Sequence, residues 1–495
     1  MALAAEIIVA VALLAGCAPA PVTVDASPSV PRMPSAAPTV PPSATATPPP
    51  SLGPTATAPG SLVLIGHDPL HGRGMNAALA IAGRYAYIGS RTDGAPRHRH
   101  PGILVVDIGN PAEPRVVHEI GPPEAGNRGE SARELRVWPR QGLLIVLSFD
   151  CDPAGHDCDR FAAAPALRFF DIRGGHASVP ALIRTFYPSR APHEFYLWQD
   201  AQNADRALLY LSTPGGSRDD LLVIDISRVR TREPVEVATW RAPMVRDGRN
   251  DELHSVSVSP DGRRAYLAFQ TAGFLVADVT SLADNGSVPA IAAVTPPDGR
   301  LRWRPVGPHS AVKLPGRPIV LTTDEVYGGI GADAGCPWGW ARLIDVSDDT
   351  APKLASEYRV QPYNDEAACP AIPEERKLHG SLSSHNPTVS AHIALVSWHA
   401  AGLQVFDTTD PSKPASLAAF VPDPLPTIGT EDPLLSSGPD KVVMWSYPIV
   451  RDGLIYVVDV RNGLFVLRYE GPNEQELSAI RFLEGNSNLG NGARP

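Results

Sequence analysis

The sequence predicts an all-β fold, a seven-bladed propeller built of four-stranded antiparallel sheets, and three observations carry the prediction. A short apolar run recurs seven times. Six copies close on an aspartate: Ile-Leu-Val-Val-Asp at Asp107, Leu-Arg-Phe-Phe-Asp at Asp171, Leu-Leu-Val-Ile-Asp at Asp225, Phe-Leu-Val-Ala-Asp at Asp278, Arg-Leu-Ile-Asp at Asp345 and Leu-Gln-Val-Phe-Asp at Asp407. The seventh, Leu-Phe-Val-Leu-Arg, ends at Arg468 and lacks the acid. The aspartates stand 53 to 67 residues apart, the length of one supersecondary unit copied around an axis. The 53 prolines and 42 glycines among 495 residues punctuate short strands, and helical periodicity is scarce.

Residues 1–17 form a targeting segment. The stretch from Ile7 to Leu14 is apolar but too short to span a bilayer, and it ends in Leu14-Ala15-Gly16-Cys17, similar to a bacterial lipobox. Cleavage before Cys17 would leave a thiol for lipidation; an ordinary secretory signal is the rival reading. Glu6 and the lack of Lys or Arg before the apolar stretch point to a start upstream of Met1. Residues 18–60 are rich in Pro, Ala, Ser and Thr, with Asp25 and Arg32 as their only charges. Such a segment buries too little apolar surface to offset its ordering entropy, so a disordered tether is expected there.

Residues 61–471 hold the repeats. The fourth copy shows the unit: a strand from His254, a Pro260-Asp261-Gly262 turn, a strand to Phe269, a third to Asp278, and a fourth from Ala290. First strands are expected to begin near Met75, Glu134, His193, His254, His309, His385 and Trp445. The last copy lacks a fourth strand, and the segment from Ser61 to Leu70 resembles the missing one. Its pairing with the last copy would close the ring and leave no open sheet edge. The aspartates are expected to shape turns by accepting amide hydrogens two residues on, not to catalyse. Residues 472–495 read as a polar tail.

Leu-Val-Ile-Asp-Ile-Ser and Gln-Val-Phe-Asp-Thr-Thr-Asp-Pro-Ser-Lys-Pro resemble the LVIVD repeats of bacterial and archaeal surface propeller proteins, over roughly residues 61–470. Arg168 and Arg468 depart from the pattern. The resemblance implies a propeller, most often extracellular, and supplies no catalytic motif. With lipidation at Cys17, the expected product is a bacterial surface lipoprotein, membrane-anchored at the cell surface or in the periplasm.

Export makes the other cysteines readable. An even number in an oxidising compartment predicts disulfides Cys151–Cys158 and Cys336–Cys369. For the first pair a metal loop is the rival, because His156 and Asp150, Asp152, Asp157 and Asp159 lie nearby.

The strongest functional signal is a column of polar residues at the entries of the inner strands. Glu134, His193, His254, His309 and His385 should ring one mouth of the central channel as a ligand-binding site. The four histidines are also candidate ligands for a divalent metal, zinc or copper. Duplication of a structural histidine is the competing explanation. Arg91, Asp93, Asp324, Glu325 and His399 follow second strands and could join the same face. The turn His67-Asp68-Pro69-Leu70-His71-Gly72-Arg73-Gly74 either lines the mouth or joins the closing strand to the first blade.

The net charge of -10 presents no basic surface for nucleic acid. No Gly-x-Ser-x-Gly elbow, phosphate loop or His-Glu-x-x-His is present. Two functions remain. One is a lipid-anchored binding or scaffolding module for a protein, glycan or small molecule. The other is an exported enzyme, an oxidase or a hydrolase or lyase, using the channel histidines with or without a metal.

Overall fold

The computed structural model describes residues 58–91, 98–121, 130–150, 165–214, 220–243, 252–284, 288–303, 307–326, 339–360, 382–432 and 441–491. Seven antiparallel sheets follow one another as blades. Blades 1 to 6 are four-stranded and span 76–120, 130–186, 194–240, 255–293, 310–358 and 387–420. Blade 7 takes its inner three strands from 449–470 and its outer one from the chain start, where Ser61–Asp68 pairs with Gly463–Glu470. The expected closure is therefore the observed one. Each blade buries both faces, so its central strands are continuous apolar runs.

Side chains stitch neighbouring blades. Tyr87 Oη donates to Ala177 O at 2.8 Å, Tyr196 Oη to Val258 O at 3.1 Å, and Thr388 Oγ1 to Pro448 O at 2.6 Å. Asn76 Nδ2 donates to Val460 O at 3.2 Å across the seam where the ring closes.

All six aspartates act at turns. Asp107, Asp171, Asp225, Asp278, Asp345 and Asp407 each accept the amide hydrogen of the residue two positions on, at 2.7 to 3.1 Å. In five of these blades a register shift falls just before the aspartate, between the third and fourth strands. Such a bulge raises the local twist, which suits radially packed sheets.

The segment from Glu474 onward differs from the expected polar tail. A short helix, Glu474–Ser478, leads to strand Phe482–Leu483, which pairs with Ile449–Arg451 inside blade 7. The chain then crosses to blades 2 and 3. Arg136 Nε donates to Asn486 O at 3.1 Å, Leu197 N to Asn486 O at 3.2 Å, and Asn488 N to Leu197 O at 3.2 Å. Gly485 passes so close to blade 6 that a Cβ would lie 1.9 Å from Pro387 O. Glu484, Asn486, Ser487 and Asn488 are all buried. Asn488 bonds the backbone of Gln199 through both polar side-chain atoms, and Ser487 Oγ donates to Glu484 Oε1 at 2.5 Å. Among the described residues no helix is long and apolar enough to cross a membrane.

Candidate functional site

His193, His254 and His309 each directly precede an inner strand, and His385 stands two residues before one. All four use the same backbone bond. Their amides donate to Ser212, Ala268, Thr323 and Ser397 on the adjoining second strands, at 2.6 to 2.9 Å. One register therefore aims four side chains at one mouth. Antiparallel pairing sets the ends of second strands beside those entries. This is why Glu325, two residues past Ile319–Thr323, and His399, two past Ile393–Ser397, join them.

The result is a row of five imidazoles. Ring centroids are 4.4 Å apart for His193 and His254, 3.9 Å for His254 and His309, 4.5 Å for His309 and His385, and 5.1 Å for His385 and His399. His193 Nε2 and His254 Nε2 share a hydrogen bond of 3.0 Å. Trp445 closes the row, its ring stacked on His399 at 5.6 Å and tilted over His385 at 4.0 Å. The Arg91 guanidinium lies over the Trp445 ring, 4.3 Å from its centroid, and pairs with Asp432 at 3.2 Å.

Glu325 is the carboxylate at the centre. Its Oε2 lies 3.2 Å from His309 Nε2, and its Oε1 lies 3.2 Å from His385 Nε2 and 3.6 Å from His399 Nε2. His385 Nδ1 donates to Trp445 O at 2.8 Å, which turns Nε2 toward the carboxylate. His309 Nδ1 bonds Ser310 Oγ at 2.8 Å with the same consequence. The ligand atoms of His309, Glu325 and His385 all lie within 4.8 Å of one another, and so do those of Glu194, His254 and His309.

Burial and charge set the protonation pattern. Burial pulls His193 down to about 3, with Arg133 adding to it. Burial likewise holds His254 and His385 well below the ordinary imidazole value. Burial also opposes the charge on His309, but Glu325, Glu194 and Glu134 outweigh it and raise His309. Glu325 falls well below the usual carboxylate range: His385 and His309 overcome the cost of its burial. Glu194 goes the other way, raised to about 7 by burial and by Glu134. The mouth is thus built to carry one carboxylate and one imidazolium among neutral rings.

Glu134 acts on the imidazoles only through its charge and bonds Arg136 instead. A register shift at Ala132/Glu134 places it against Arg136, whose Nη2 donates to its Oε2 at 2.7 Å. Arg136 also reaches Phe195 O at 3.2 Å and holds the C-terminal segment through Asn486. The carboxylates that meet imidazoles are Glu325 and Glu194. His193 lies in neither three-residue cluster formed among the described residues.

The other candidates separate. Asp324 accepts from Trp303 Nε1 at 2.8 Å and pairs with Arg342. In the turn before blade 1, buried Arg73 donates to Asn76 Oδ1 at 2.6 Å and Gly102 O at 2.7 Å, so that turn serves as a joint to blade 1. Cys17, Cys151, Cys158, Cys336, Cys369 and Asp93 lie outside the described residues.

The sequence model of the LVIVD repeat matches residues 73–120, which hold blade 1. No curated protein sequence matches the chain. Among solved structures the chain is similar to Chaetomium thermophilum Sqt1, at 15% identity and a TM-score of 0.44 over 81% of this chain and 86% of that one. It is similar to the β-propeller domain of Myceliophteria thermophila Cps50 (Swd1), at 9% identity and a TM-score of 0.45 over 82% and 98%. Sqt1 bound to the N-terminus of the ribosomal protein L10 matches at 15% identity and a TM-score of 0.42 over 81% and 89%. Likenesses this distant carry nothing about partners across to this chain. By its own sheets the chain is a seven-bladed β-propeller, and its first blade matches the LVIVD repeat.

Proposed function

We propose that this protein is an exported, membrane-tethered binding module whose ligand site is the histidine-lined mouth of the propeller channel. One observation carries the reading: three imidazoles from two blades, His309, His385 and His399, meet the Glu325 carboxylate at one buried point, and His254 and His193 continue the row. Burying ionisable groups is costly, and here several of them are gathered around one carboxylate. The propeller fold suits a binding or scaffolding role, and a protein, glycan or small molecule is the class of partner expected.

The tether rests on Leu14-Ala15-Gly16-Cys17, with lipidation of Cys17, and on the Pro-rich character of residues 18–60. The disulfides Cys151–Cys158 and Cys336–Cys369 belong to the same exported setting. Expressed in a bacterial host, the wild type should partition with membranes and a Cys17→Ser variant should not. Equal partitioning would remove the anchor from the reading.

A panel of divalent metals, phosphate, carboxylic acids and sugars tests the binding site by thermal shift. At least one member should raise the melting temperature of the wild type and not that of Glu325→Gln or His385→Gln. A panel with no such member overturns the channel mouth as a ligand site. The enzyme reading keeps one point in its favour: Glu325 and raised His309 form an acid–base pair among neutral imidazoles.

A further inference from the structure

The N···O distances at Glu325 are unlike those of the other histidine–carboxylate pairs in this chain. The exposed pairs His100–Glu119 and His392–Glu476 both close to 2.9 Å, the length of a charge-assisted hydrogen bond. The buried contacts at Glu325 stay at 3.2, 3.2 and 3.6 Å, although attraction is stronger away from water. Distances of this size have another meaning. Ligand atoms at about 2.0–2.1 Å from a tetrahedral metal ion are separated by about 3.3 Å.

The ring orientations agree. The carbonyl of Trp445 can only accept, so His385 Nδ1 carries a proton. In a neutral imidazole the Nε2 electron pair then points at a carboxylate oxygen, and a cation between the two relieves that opposition. His309 Nδ1 is likewise engaged, by Ser310 Oγ, which leaves its Nε2 on the side of the carboxylate. A hydrogen bond at one ring nitrogen that aims the other at a shared point is the usual support of a metal-ligating histidine.

We infer that His309 Nε2, His385 Nε2 and the Glu325 carboxylate hold one divalent ion of the borderline class, zinc or copper, with the His399 imidazole beside them. The inference rests on reading the channel mouth as a ligand site. Nitrogen donors with one carboxylate suit these ions better than magnesium or calcium, which favour all-oxygen sets. The alternative cluster of Glu194, His254 and His309 shares His309 with this one. The Glu325 cluster is favoured because a third imidazole, His399, lies beside it.

The test uses purified full-length protein stripped with a chelator, then titrated with zinc, copper and cobalt. The expected result is one equivalent bound, with cobalt giving the visible bands of a four-coordinate site. Glu325→Gln and His385→Gln should each weaken binding by at least about 100-fold, since even the groups that merely support ligands cost up to that much. His392→Gln, at the exposed Glu476 pair, should bind as the wild type does. The cobalt spectrum of the wild type stands even if a variant fails to fold. Absence of a stoichiometric metal, or affinity unchanged in both variants, overturns the inference. If a non-metal ligand instead depends on Glu325 and His385, the metal assignment fails and the binding-module reading survives.

Discussion

Glu325 Oε1 stands 3.2 Å from His385 Nε2, across a mouth where both side chains are at least nine-tenths buried. These residues are 60 apart in sequence and come from neighbouring blades. The pairing makes the mouth an electrostatic unit, not a set of separate polar residues.

Removing the Glu325 charge should therefore show itself through pH. Glu325 is lowered in the folded state, so its contribution is present above 4.5 and fades as pH falls through its folded value. His309 is raised, so its contribution is present below 6.5 and fades as pH climbs through its folded value. The melting-temperature gap between metal-free wild type and Glu325→Gln should be widest between 4.5 and 6.5 and narrow toward alkaline pH. A gap independent of pH would show that the pair is not charged as argued.

Glu194 should behave in the opposite sense. Its value rises from 4.5 to about 7 on folding, so the native state binds more protons in that window and stability falls as pH rises through it. Glu194→Gln removes this loss. Relative to the wild type, the variant should gain stability from pH 4.5 to pH 8 in chelator, and parallel curves would contradict the assignment.

The turn aspartates should prove structural. Asp407→Ala deletes the bond from the Thr409 amide, 2.7 Å long, and should cost about 1 kcal/mol in denaturant unfolding. Ligand binding at the mouth should be untouched, because the aspartate closes a third strand away from the channel. A large loss of binding with little loss of stability would reassign it.

The C-terminal segment should behave as part of the core. A Cβ at Gly485 would sit 1.9 Å from Pro387 O, so Gly485→Ala must displace the segment or blade 6. A loss of about 2 kcal/mol is expected, typical of overpacking in a closed site. An unchanged melting temperature would mean that the segment is not seated there in solution.

Much of this architecture is legible in sequence because it repeats. Six Asp-ended runs reveal six third strands, and four histidines at one column reveal one mouth. Glu325 and His399 are harder to see. Each follows a second strand, and only pairing across the hairpin carries them to the first-strand entries. Glu134 misleads because a bulge moves it off the column, a shift that its neighbours in sequence do not announce. The segment Glu484-Gly485-Asn486-Ser487-Asn488 has the composition of a solvated tail. Asn486 and Asn488 find their partners on blades hundreds of residues away, so local pattern holds no trace of the segment's burial.

The most direct measurement is diffraction from zinc-soaked crystals, with data on both sides of the zinc absorption edge. The account predicts one strong anomalous peak within bonding distance of His309 Nε2, His385 Nε2 and Glu325. A map with no peak at the mouth, or with peaks only at exposed pairs such as His392–Glu476, would contradict it.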